Sequence, residues 1–455
     1  MAKIGIEDRG YNSLVQKLVQ EGHKVVLHVE GIPFNELWPW KGVQYVESKA
    51  ELLGSGCDFF IGSDYPTCNI QAAASLMGLP IVGHTREAIE LELDRELAFS
   101  VVRRIGNRRL KTPKVHQYTS KDGAIAFLRT TKTDLVAKQH RLSPLDTSDN
   151  RTVLVRGASG RQYMISLLEQ DSSPWFNQDG SGGVRFEQFI EGVEVCWGMM
   201  FSQSSPMLPT YWCQEYKGAQ NGNRSGLLTG EVGTVMGMMY GRDNPVYEIF
   251  SSLGDVLRSS GVYTTGMIDF NTIVKPDGTM YFVEFTVRWG RPTMEMQIAM
   301  LGTNRSFGDL LQDAALGREE SHLYEYSTAV GVTAFEYGLP YEEVLRLRKP
   351  ISFKPPPGAV GGSFGAQIIP FFCDCSKPDT WTTCPEEGRY LVSVGSTREN
   401  FLENIPGKEH IDVLREVAYR PLEKFSVPGV TWRDDIGANL SDVLAAVRAV
   451  CGKGV

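Results

Sequence analysis

The sequence contains no long apolar run and no excess of positive charge. None of its hydrophobic stretches reaches the length of about 20 residues that a membrane-spanning helix needs, and charge follows closely on the N-terminus, at Glu7 and Asp8. We therefore expect a cytoplasmic protein with no membrane span and no secretory leader. The formal net charge is −8 at pH 7, so there is no strong sign of nucleic-acid binding or of an anionic membrane partner.

Cysteines and glycine-rich motifs are also scarce. The 8 cysteines are scattered through 455 residues, a chain long enough to build a core without disulfides, so we expect reduced thiols. Cys373, Cys375 and Cys384 form a C-x-C-x8-C cluster, but no histidine lies nearby to complete a zinc site, and free thiols are favoured over a metal. No G-x-G-x-x-G turn follows the first strand, which disfavours a nicotinamide-binding dehydrogenase.

The hydrophobic pattern predicts an α/β protein with more than one packed unit. Short apolar strands alternate with helical segments up to about residue 88, which indicates an open parallel sheet. Residues 86–104 predict one continuous helix, and strand-rich segments follow at 184–198 and 263–284. A last part with both strands and helices begins near residue 327.

The most informative segment is a predicted β-hairpin at residues 266–290. Two apolar runs flank a Pro-Asp-Gly turn, which brings Asp269 and Glu284 onto neighbouring antiparallel strands. Two such carboxylates suit a divalent cation, and their hard oxygen ligands favour Mg²⁺. Arg288 follows four residues after Glu284, where it could bind a phosphate or a carboxylate through two nitrogens. Each residue alone is more simply explained as a solvated strand residue, but the set favours a site.

Two further segments carry residues that suit a nucleotide. Lys138 closes an apolar strand, from which its ammonium could contact a phosphate. In Glu187-Gln-Phe-x-x-Gly-x-Glu194, the backbone beyond the strand would contact adenine, and a carboxylate would accept the ribose hydroxyls. Acidic strand ends and single lysines are common, so neither pattern identifies a nucleotide site by itself.

Together these motifs resemble the ATP-grasp superfamily and, within it, the phosphoribosylamine–glycine ligase family. The matching segments are Lys138, Glu187-Gln-Phe-x-x-Gly-x-Glu194, Thr229-Gly-Glu-Val-Gly233, Thr264-Thr-Gly266, Glu284-Phe-x-x-Arg288-x-Gly290, Gly388-Arg-Tyr-Leu-Val-Ser-Val394 and Trp432-Arg-x-Asp-Ile-Gly437. Their order and rough spacing hold from about residue 57 to 437. Any one match is weak, but the set is specific for the family's architecture.

The resemblance implies an ATP-grasp core with a small lid subdomain, placed between an N-terminal open parallel α/β domain and a C-terminal α+β domain. We predict domain limits at 1–88, 89–325 and 326–455, with the lid at about 113–185. The implied cofactors are ATP and Mg²⁺ (or Mn²⁺). The implied partners are small-molecule substrates, namely an amino acid and an amine acceptor, and the chain would be a monomer or a homodimer.

The resemblance also assigns a role to individual residues. Those implied to bind the nucleotide are Lys138, Glu187, Gln188, Phe189, Glu194 and Lys217. Those implied to bind the metal are Asp269, Glu284 and Thr286, and the catalytic pair is Arg288 and Arg291. The family's reaction converts glycine to an acyl phosphate, which the amine of phosphoribosylamine then attacks to give an amide, ADP and phosphate.

The chain departs from the family at several of these positions. The family's glycine-rich lid loop is replaced by Gln139–Asn150, which contains no glycine, although close wrapping of a phosphate by backbone amides usually needs glycine. The family's asparagine on the metal side is Thr286, and two family acids become Arg291 and Thr293.

The N-terminal turn differs as well, because Glu7 and Asp8 stand where the family has a glycine-rich phosphate turn. We therefore expect phosphoribosylamine to be a poor acceptor. Three functions remain open. They are an amino acid–amine ligase of this family, the same chemistry on another amine such as a nucleotide or modified base, and a nucleotide-binding scaffold without ligase activity.

Overall fold

The structure is a computed structural model of the chain. The residues that it describes are 1–8, 12–29, 42–62, 68–139, 152–170, 175–176, 183–221, 225–228, 231–302, 306–318, 324–336, 351–353, 364–370, 373–377, 380–383, 389–404, 406–425 and 429–452. Residues 140–150 of the lid loop and Cys384 of the cysteine cluster lie outside these ranges, so both interpretations stay predictions.

The N-terminal unit is built on a five-stranded parallel sheet. Its strands are β1 (Lys3–Asp8), β2 (Lys24–Val29), β3 (Val43–Tyr45), β4 (Phe59–Gly62) and β5 (Ile81–Val82), and its helices are α1 (Asn12–Gln20), α2 (Lys49–Leu53) and α3 (Cys68–Leu76). The strands lie in the order β3-β2-β1-β4-β5, and all four pairings are parallel. The predicted open parallel sheet is confirmed.

The single helix predicted over residues 86–104 is wrong, because the segment forms two helices. They are α4 (Arg86–Leu93) and α5 (Arg95–Ile105), and strand β6 (Leu110–Lys111) follows. Asp94 between them has an extended backbone, and its carboxylate accepts hydrogen bonds from the N–H groups of Glu96 and Leu97. An aspartate that caps a helix in this way ends one helix and starts another without a glycine or proline signal.

The predicted lid contains a separate four-stranded sheet, called here the lid sheet. Its elements are β7 (Val115–Tyr118), α6 (Lys121–Thr130), β8 (Leu135–Gln139), β9 (Val153–Val155), α7 (Gly157–Glu169) and β10 (Val184–Gln188). The strand order is β7-β10-β8-β9, with antiparallel pairing throughout. Strands β8 and β10, which carry Lys138 and Glu187, are therefore direct neighbours.

The remaining strands build a large, mostly antiparallel sheet and two small ones. The elements are β11 (Val193–Ser202), β12 (Ser205–Glu215), β13 (Gly218–Gln220), β14 (Ser225–Leu228), β15 (Gly233–Met239), α8 (Pro245–Ser259), β16 (Gly266–Val274), β17 (Met280–Thr286), α9 (Thr293–Leu301), α10 (Phe307–Ala315), β18 (Thr328–Glu336), β19 (Ile351–Phe353), β20 (Phe364–Pro370), β21 (Cys373–Lys377), β22 (Thr380–Thr383), β23 (Arg389–Thr397), α11 (Lys408–Tyr419), the 3-10 turn Leu422–Lys424, β24 (Val430–Thr431) and α12 (Leu440–Cys451). In the large sheet the order is β20-β23-β18-β15-β12-β11-β16-β17-β6, and β24 pairs with β18. This sheet runs across residue 325 without a break, because β15 pairs with β18.

The two faces of the large sheet differ in what they contact. Side chains alternate along β11, so Val195, Trp197 and Met199 belong to one core and Cys196 and Met200 to another. The first core includes residues of α5, α8, α11 and α12, and the second includes residues of α1, α9 and α10. Among the described residues, no helix is both long and apolar enough to cross a membrane.

Candidate active site

The side chains with predicted nucleotide roles in the lid sheet form a buried ion pair. Lys138 of β8 places its Nζ 2.9 Å from Oε2 of Glu187 on β10, and each side chain is only 5% exposed. The Lys138 ammonium also donates to the backbone carbonyl of Val283 on β17, at 3.4 Å. Lys138 therefore connects the lid sheet to the hairpin of the large sheet.

Glu187 is held in its charged form. Burial raises the pKa of Glu187, but the charges of Lys138, Arg95 and Arg185 outweigh burial and lower it below the usual value. Arg185 lies two residues earlier on β10, and its Nε donates to Oε1 of Glu187 at 2.9 Å. The two residues with predicted nucleotide roles are thus part of a larger cluster with three cations.

The backbone beyond Glu187 is already used in hydrogen bonds. The N–H of Gln188 donates to the carbonyl of Lys114 at 2.8 Å, and the N–H of Phe189 donates to the carbonyl of Asp134 at 2.9 Å. The guanidinium of Arg156 lies over the Phe189 ring, 4.7 Å from its centre. If this strand end contacts adenine, it does so through carbonyl groups or through backbone after Phe189.

A second cluster centres on Lys217, which follows β12 and lies near carboxylates of β11, β12 and β17. The Nζ of Lys217 is 2.9 Å from Glu215, 3.7 Å from Glu194 and 3.8 Å from Glu284. Burial lowers the pKa of Lys217, but these three carboxylates outweigh it and raise the pKa well above the usual value. Two residues with predicted nucleotide roles, Glu194 and Lys217, are therefore next to the predicted metal ligand Glu284.

Glu284 is an ionised carboxylate that a ligand can reach. Burial raises its pKa, but the charges of Lys217, Arg95 and Lys138 outweigh burial and lower the pKa to about 2. Its Oε2 lies 3.4 Å from Nη1 of Arg95 at the start of α5, and its side chain remains 27% exposed. Glu284 therefore carries its charge at neutral pH in reach of solvent, as a metal ligand must.

Asp269, the other predicted metal ligand, has a different environment. In the β16–β17 hairpin Asp269 lies opposite Thr286, whereas Asn271 lies opposite Glu284. Asp269 is 2% exposed, and the hydroxyl of Tyr211 donates a hydrogen bond to it. Burial raises the pKa of Asp269 well above its usual value, although the hydrogen bond from Tyr211 opposes this. The structure puts Asn271, which the motif search missed, directly across from Glu284.

The two arginines with predicted catalytic roles follow β17. Arg288 is held by α4, because its Nε lies 3.3 Å from Oε1 of Glu92. The same carboxylate accepts the N–H of Val287 at 2.6 Å through its other oxygen. Arg291 lies in the turn between β17 and α9, where it is half-buried. Both arginines are thus at the same end of the hairpin as Asp269 and Thr286.

These oxygen donors fit a divalent cation bound together with a nucleotide. Mg²⁺ usually takes one or two carboxylates from the protein and completes its shell with water and phosphate oxygens, and Glu284 meets that requirement. Among the residues that the structure describes, the one group of three metal-capable side chains within 4.8 Å is Cys196, Cys213 and Glu215. Burial raises the pKa of both thiols, and thiols are poor ligands for a hard cation.

Sequence reasoning missed the groups that control these charges. Arg95, Arg185 and Glu215 each contact a predicted site residue, but nothing in the local pattern separates them from solvated charges. Asn271 could have been found, because it lies two residues after Asp269 and strand alternation puts both on one face.

Known proteins resemble this chain in sequence and in fold. No family model matches the sequence. The chain is 24% identical to phosphoribosylamine–glycine ligase of Neisseria meningitidis serogroup B over 375 residues, which cover 79% of this chain and 78% of that protein. The crystal structure of phosphoribosylamine–glycine ligase from Thermotoga maritima has a TM-score of 0.68 at 17% identity, and the match covers 95% of this chain and 100% of that one.

A further structural match was crystallised with a nucleotide. The biotin carboxylase domain of 2-oxoglutarate carboxylase from Hydrogenobacter thermophilus, in complex with MgADP, ADP and bicarbonate, has a TM-score of 0.58 at 13% identity and covers 95% of this chain and 92% of that one. The mixed α/β architecture predicted from sequence is confirmed, and so is the resemblance to phosphoribosylamine–glycine ligases. The chain is therefore similar in sequence to phosphoribosylamine–glycine ligases over most of its length, and it shares their fold.

Proposed function

We propose that the chain is an ADP-forming carboxylate–amine ligase whose nucleotide phosphates lie between the lid sheet and the β16–β17 hairpin. The observation that carries this proposal is the ionised, accessible Glu284 with three cations around it, Lys217, Arg95 and Lys138. Such a cluster suits a polyphosphate with a divalent cation, because the cations face the phosphates and the carboxylate faces the metal.

The nucleotide would contact both sheets. Lys138 would leave Glu187 to bind a phosphate, and Glu194 would accept the ribose hydroxyls with Lys217 beside it. Gln188 and Phe189 would border the adenine. Glu284 would bind the cation, Mg²⁺ (or Mn²⁺), with Asn271 and Thr286 on the same face of the hairpin. When bound, the cation neutralises phosphate charge.

The chemistry would run in two steps. A carboxylate oxygen of the amino acid attacks the γ-phosphorus of ATP, ADP leaves, and an acyl phosphate forms. The amine nitrogen then attacks the acyl carbon, phosphate leaves, and the nitrogen loses a proton to give the amide. Arg288 and Arg291 would hold the carboxylate and the transferring phosphoryl group, since guanidinium groups bind planar oxyanions through two nitrogens.

Glycine or a similar amino acid is the proposed carboxylate, and the proposed amine is either phosphoribosylamine or another amine such as a nucleotide or modified base.

The acidic N-terminal turn is a weaker argument against phosphoribosylamine than the sequence indicated. Glu7 is 1% exposed, and its carboxylate lies 2.7 Å from Nδ1 of His28 and 3.1 Å from Nζ of Lys49. Its charge is thus largely neutralised within the N-terminal unit. We keep the proposed domain limits, the cytoplasmic location and a monomer or homodimer as part of this proposal.

The test is release of ADP from Mg-ATP by the purified protein. A panel of amino acids is supplied with phosphoribosylamine, with a nucleoside amine, or with neither, and mass spectrometry identifies any amide. We expect ADP release that depends on one amino acid and one amine together. Nucleotide binding without ADP release under every combination would instead indicate the non-ligating scaffold.

A further inference from the structure

One fully buried charge of the lid sheet has no role in the contacts proposed above. Arg185 of β10 is 0% exposed and lies directly opposite Lys138 of β8. Its Nε donates to Oε1 of Glu187 at 2.9 Å, and its Nη1 donates to Oε2 of Glu96 at 3.2 Å. Its guanidinium also lies 3.9 Å from the ring centre of Phe99. A charge so completely removed from water needs these partners.

The two oxygens of Glu187 have different cations. Lys138 is 2.9 Å from Oε2 and Arg185 is 2.9 Å from Oε1. The ammonium of Lys138 is the group that must turn to a phosphate when a nucleotide binds. If Lys138 were the one close partner, its departure would leave a buried carboxylate without a counter-charge, and that is strongly unfavourable.

Arg185 also fixes the position of the lid sheet relative to α5. Its partners Glu96 and Phe99 lie on the first two turns of α5, and Arg95 of the same helix contacts Glu284 on the large sheet. One end of α5 thus connects the carboxylates of both sheets. A lysine could replace Arg185 only in part, because the planar guanidinium contacts two carboxylates and a ring at once.

We propose that Arg185 is a positioning residue for the nucleotide, which holds Glu187 and balances its charge while Lys138 moves to the phosphates. This inference rests on the proposed function. It makes one specific prediction: removing Arg185 weakens the binding of Mg-ATP only as long as Glu187 carries its charge. A residue that merely packed against Phe99 would not meet that prediction.

The test is a double-mutant cycle on the dissociation constant of Mg-ATP, measured by calorimetry. The proteins are wild type, Arg185→Met, Glu187→Gln and the double variant, with thermal unfolding to check the fold. We expect Arg185→Met to weaken binding by about tenfold or more, because Lys138 is then held by an otherwise stranded Glu187. In the Glu187→Gln background the same change should weaken binding by less than about threefold.

Two further variants separate the alternatives. Glu96→Gln removes the charge of the α5 carboxylate that contacts Arg185 but leaves Glu187 paired, so it should weaken binding less than Arg185→Met does. Arg185→Lys keeps the charge, so its dissociation constant for Mg-ATP should lie between those of wild type and Arg185→Met and should still depend on the charge of Glu187. This variant keeps the test available if Arg185→Met fails to fold. If Arg185→Met and Arg185→Lys weaken binding by the same factor, and that factor is unchanged in the Glu187→Gln background, this inference is overturned while the proposed function stands. Absence of nucleotide binding by wild type would overturn the proposed function and this inference with it.

Discussion

Glu284 and Asp269 are two acids on the same face of one hairpin, yet their pKa values are shifted in opposite directions. Lys217, Arg95 and Lys138 lower the pKa of Glu284 to about 2 despite its burial. Burial raises the pKa of Asp269 well above its usual value, and its near partner is the neutral hydroxyl of Tyr211. The comparison shows that the charge of a strand carboxylate is set by side chains from other elements, here α5, β8 and the segment after β12.

The difference divides the hairpin into two parts with separate roles. Glu284 is able to bind a cation at neutral pH because it is charged and partly exposed. Asp269 is buried, its pKa is raised and it accepts a hydrogen bond from Tyr211, so we expect it to support the hairpin more readily than to bind a metal. The predictions that follow test this division, beginning with the largest expected effect.

Replacing the charged acid should remove activity. We expect Glu284→Gln to reduce ADP formation by about a thousandfold or more, because a neutral amide cannot balance a divalent cation between two phosphates. Asp277→Asn in the turn of the same hairpin is the matched control, since Asp277 is exposed and outside the site, and it should keep nearly full activity. Turnover of Glu284→Gln close to that of the control would contradict the metal assignment.

Removing the lid-sheet cation should weaken nucleotide binding. Lys138→Ala should raise the dissociation constant of Mg-ATP by roughly 10-fold to 150-fold, since a hydrogen bond to a charged group contributes about 1.5–3 kcal/mol. Fluorescence titration with a labelled nucleotide measures the change. The matched control is Lys132→Ala, three residues before β8 and exposed. If the two variants bind equally well, Lys138 does not contact the phosphates.

Acid should affect stability through Glu284. Its pKa is lowered from 4.5 to about 2 in the folded protein, so its contribution is complete above pH 4.5 and is lost as pH falls towards 2. Between these pH values the free energy of unfolding of wild type should fall by up to about 3 kcal/mol more than that of Glu284→Gln. Urea titrations across this range measure the difference. Parallel curves for the two proteins would show that Glu284 is not held in its charged form.

Replacing Asp269 should have the smallest effect. The pKa of Asp269 is raised, so this group favours folding below its unfolded value of 3.8 and that contribution is lost as pH rises. An amide has nearly the same shape and can still accept from Tyr211. Asp269→Asn should therefore unfold no earlier than wild type at pH 7 and keep ADP formation within about threefold. A loss comparable to that of Glu284→Gln would make Asp269 a metal ligand after all.

Sequence reasoning succeeded where a pattern is local and failed where charges come from distant segments. The alternation of short strands and helices predicted the parallel sheet correctly, and the Pro-Asp-Gly turn predicted the hairpin but not its register, in which Asn271 lies opposite Glu284. The break at Asp94 was missed because the flanking residues keep helical spacing on both sides of an aspartate cap.

The charge state of the site could not be predicted in the same way. Arg95 precedes Glu284 by 189 residues, and Arg185 contacts Glu96 across 89 residues. No spacing rule joins such pairs, because α5 packs against the large sheet and also contacts Arg185 of the lid sheet, which brings them together. Asp269 and Glu284 therefore look equivalent in the sequence, although burial raises the pKa of Asp269 and neighbouring cations lower the pKa of Glu284.

The most direct test of the account is a calorimetric titration of the wild-type protein with ATP in the presence and absence of Mg²⁺. We expect saturable binding of one nucleotide per chain that is tightened by Mg²⁺, and loss of that tightening in Glu284→Gln but not in Asp269→Asn. No binding of any adenine nucleotide under either condition would contradict the proposed site between the lid sheet and the hairpin.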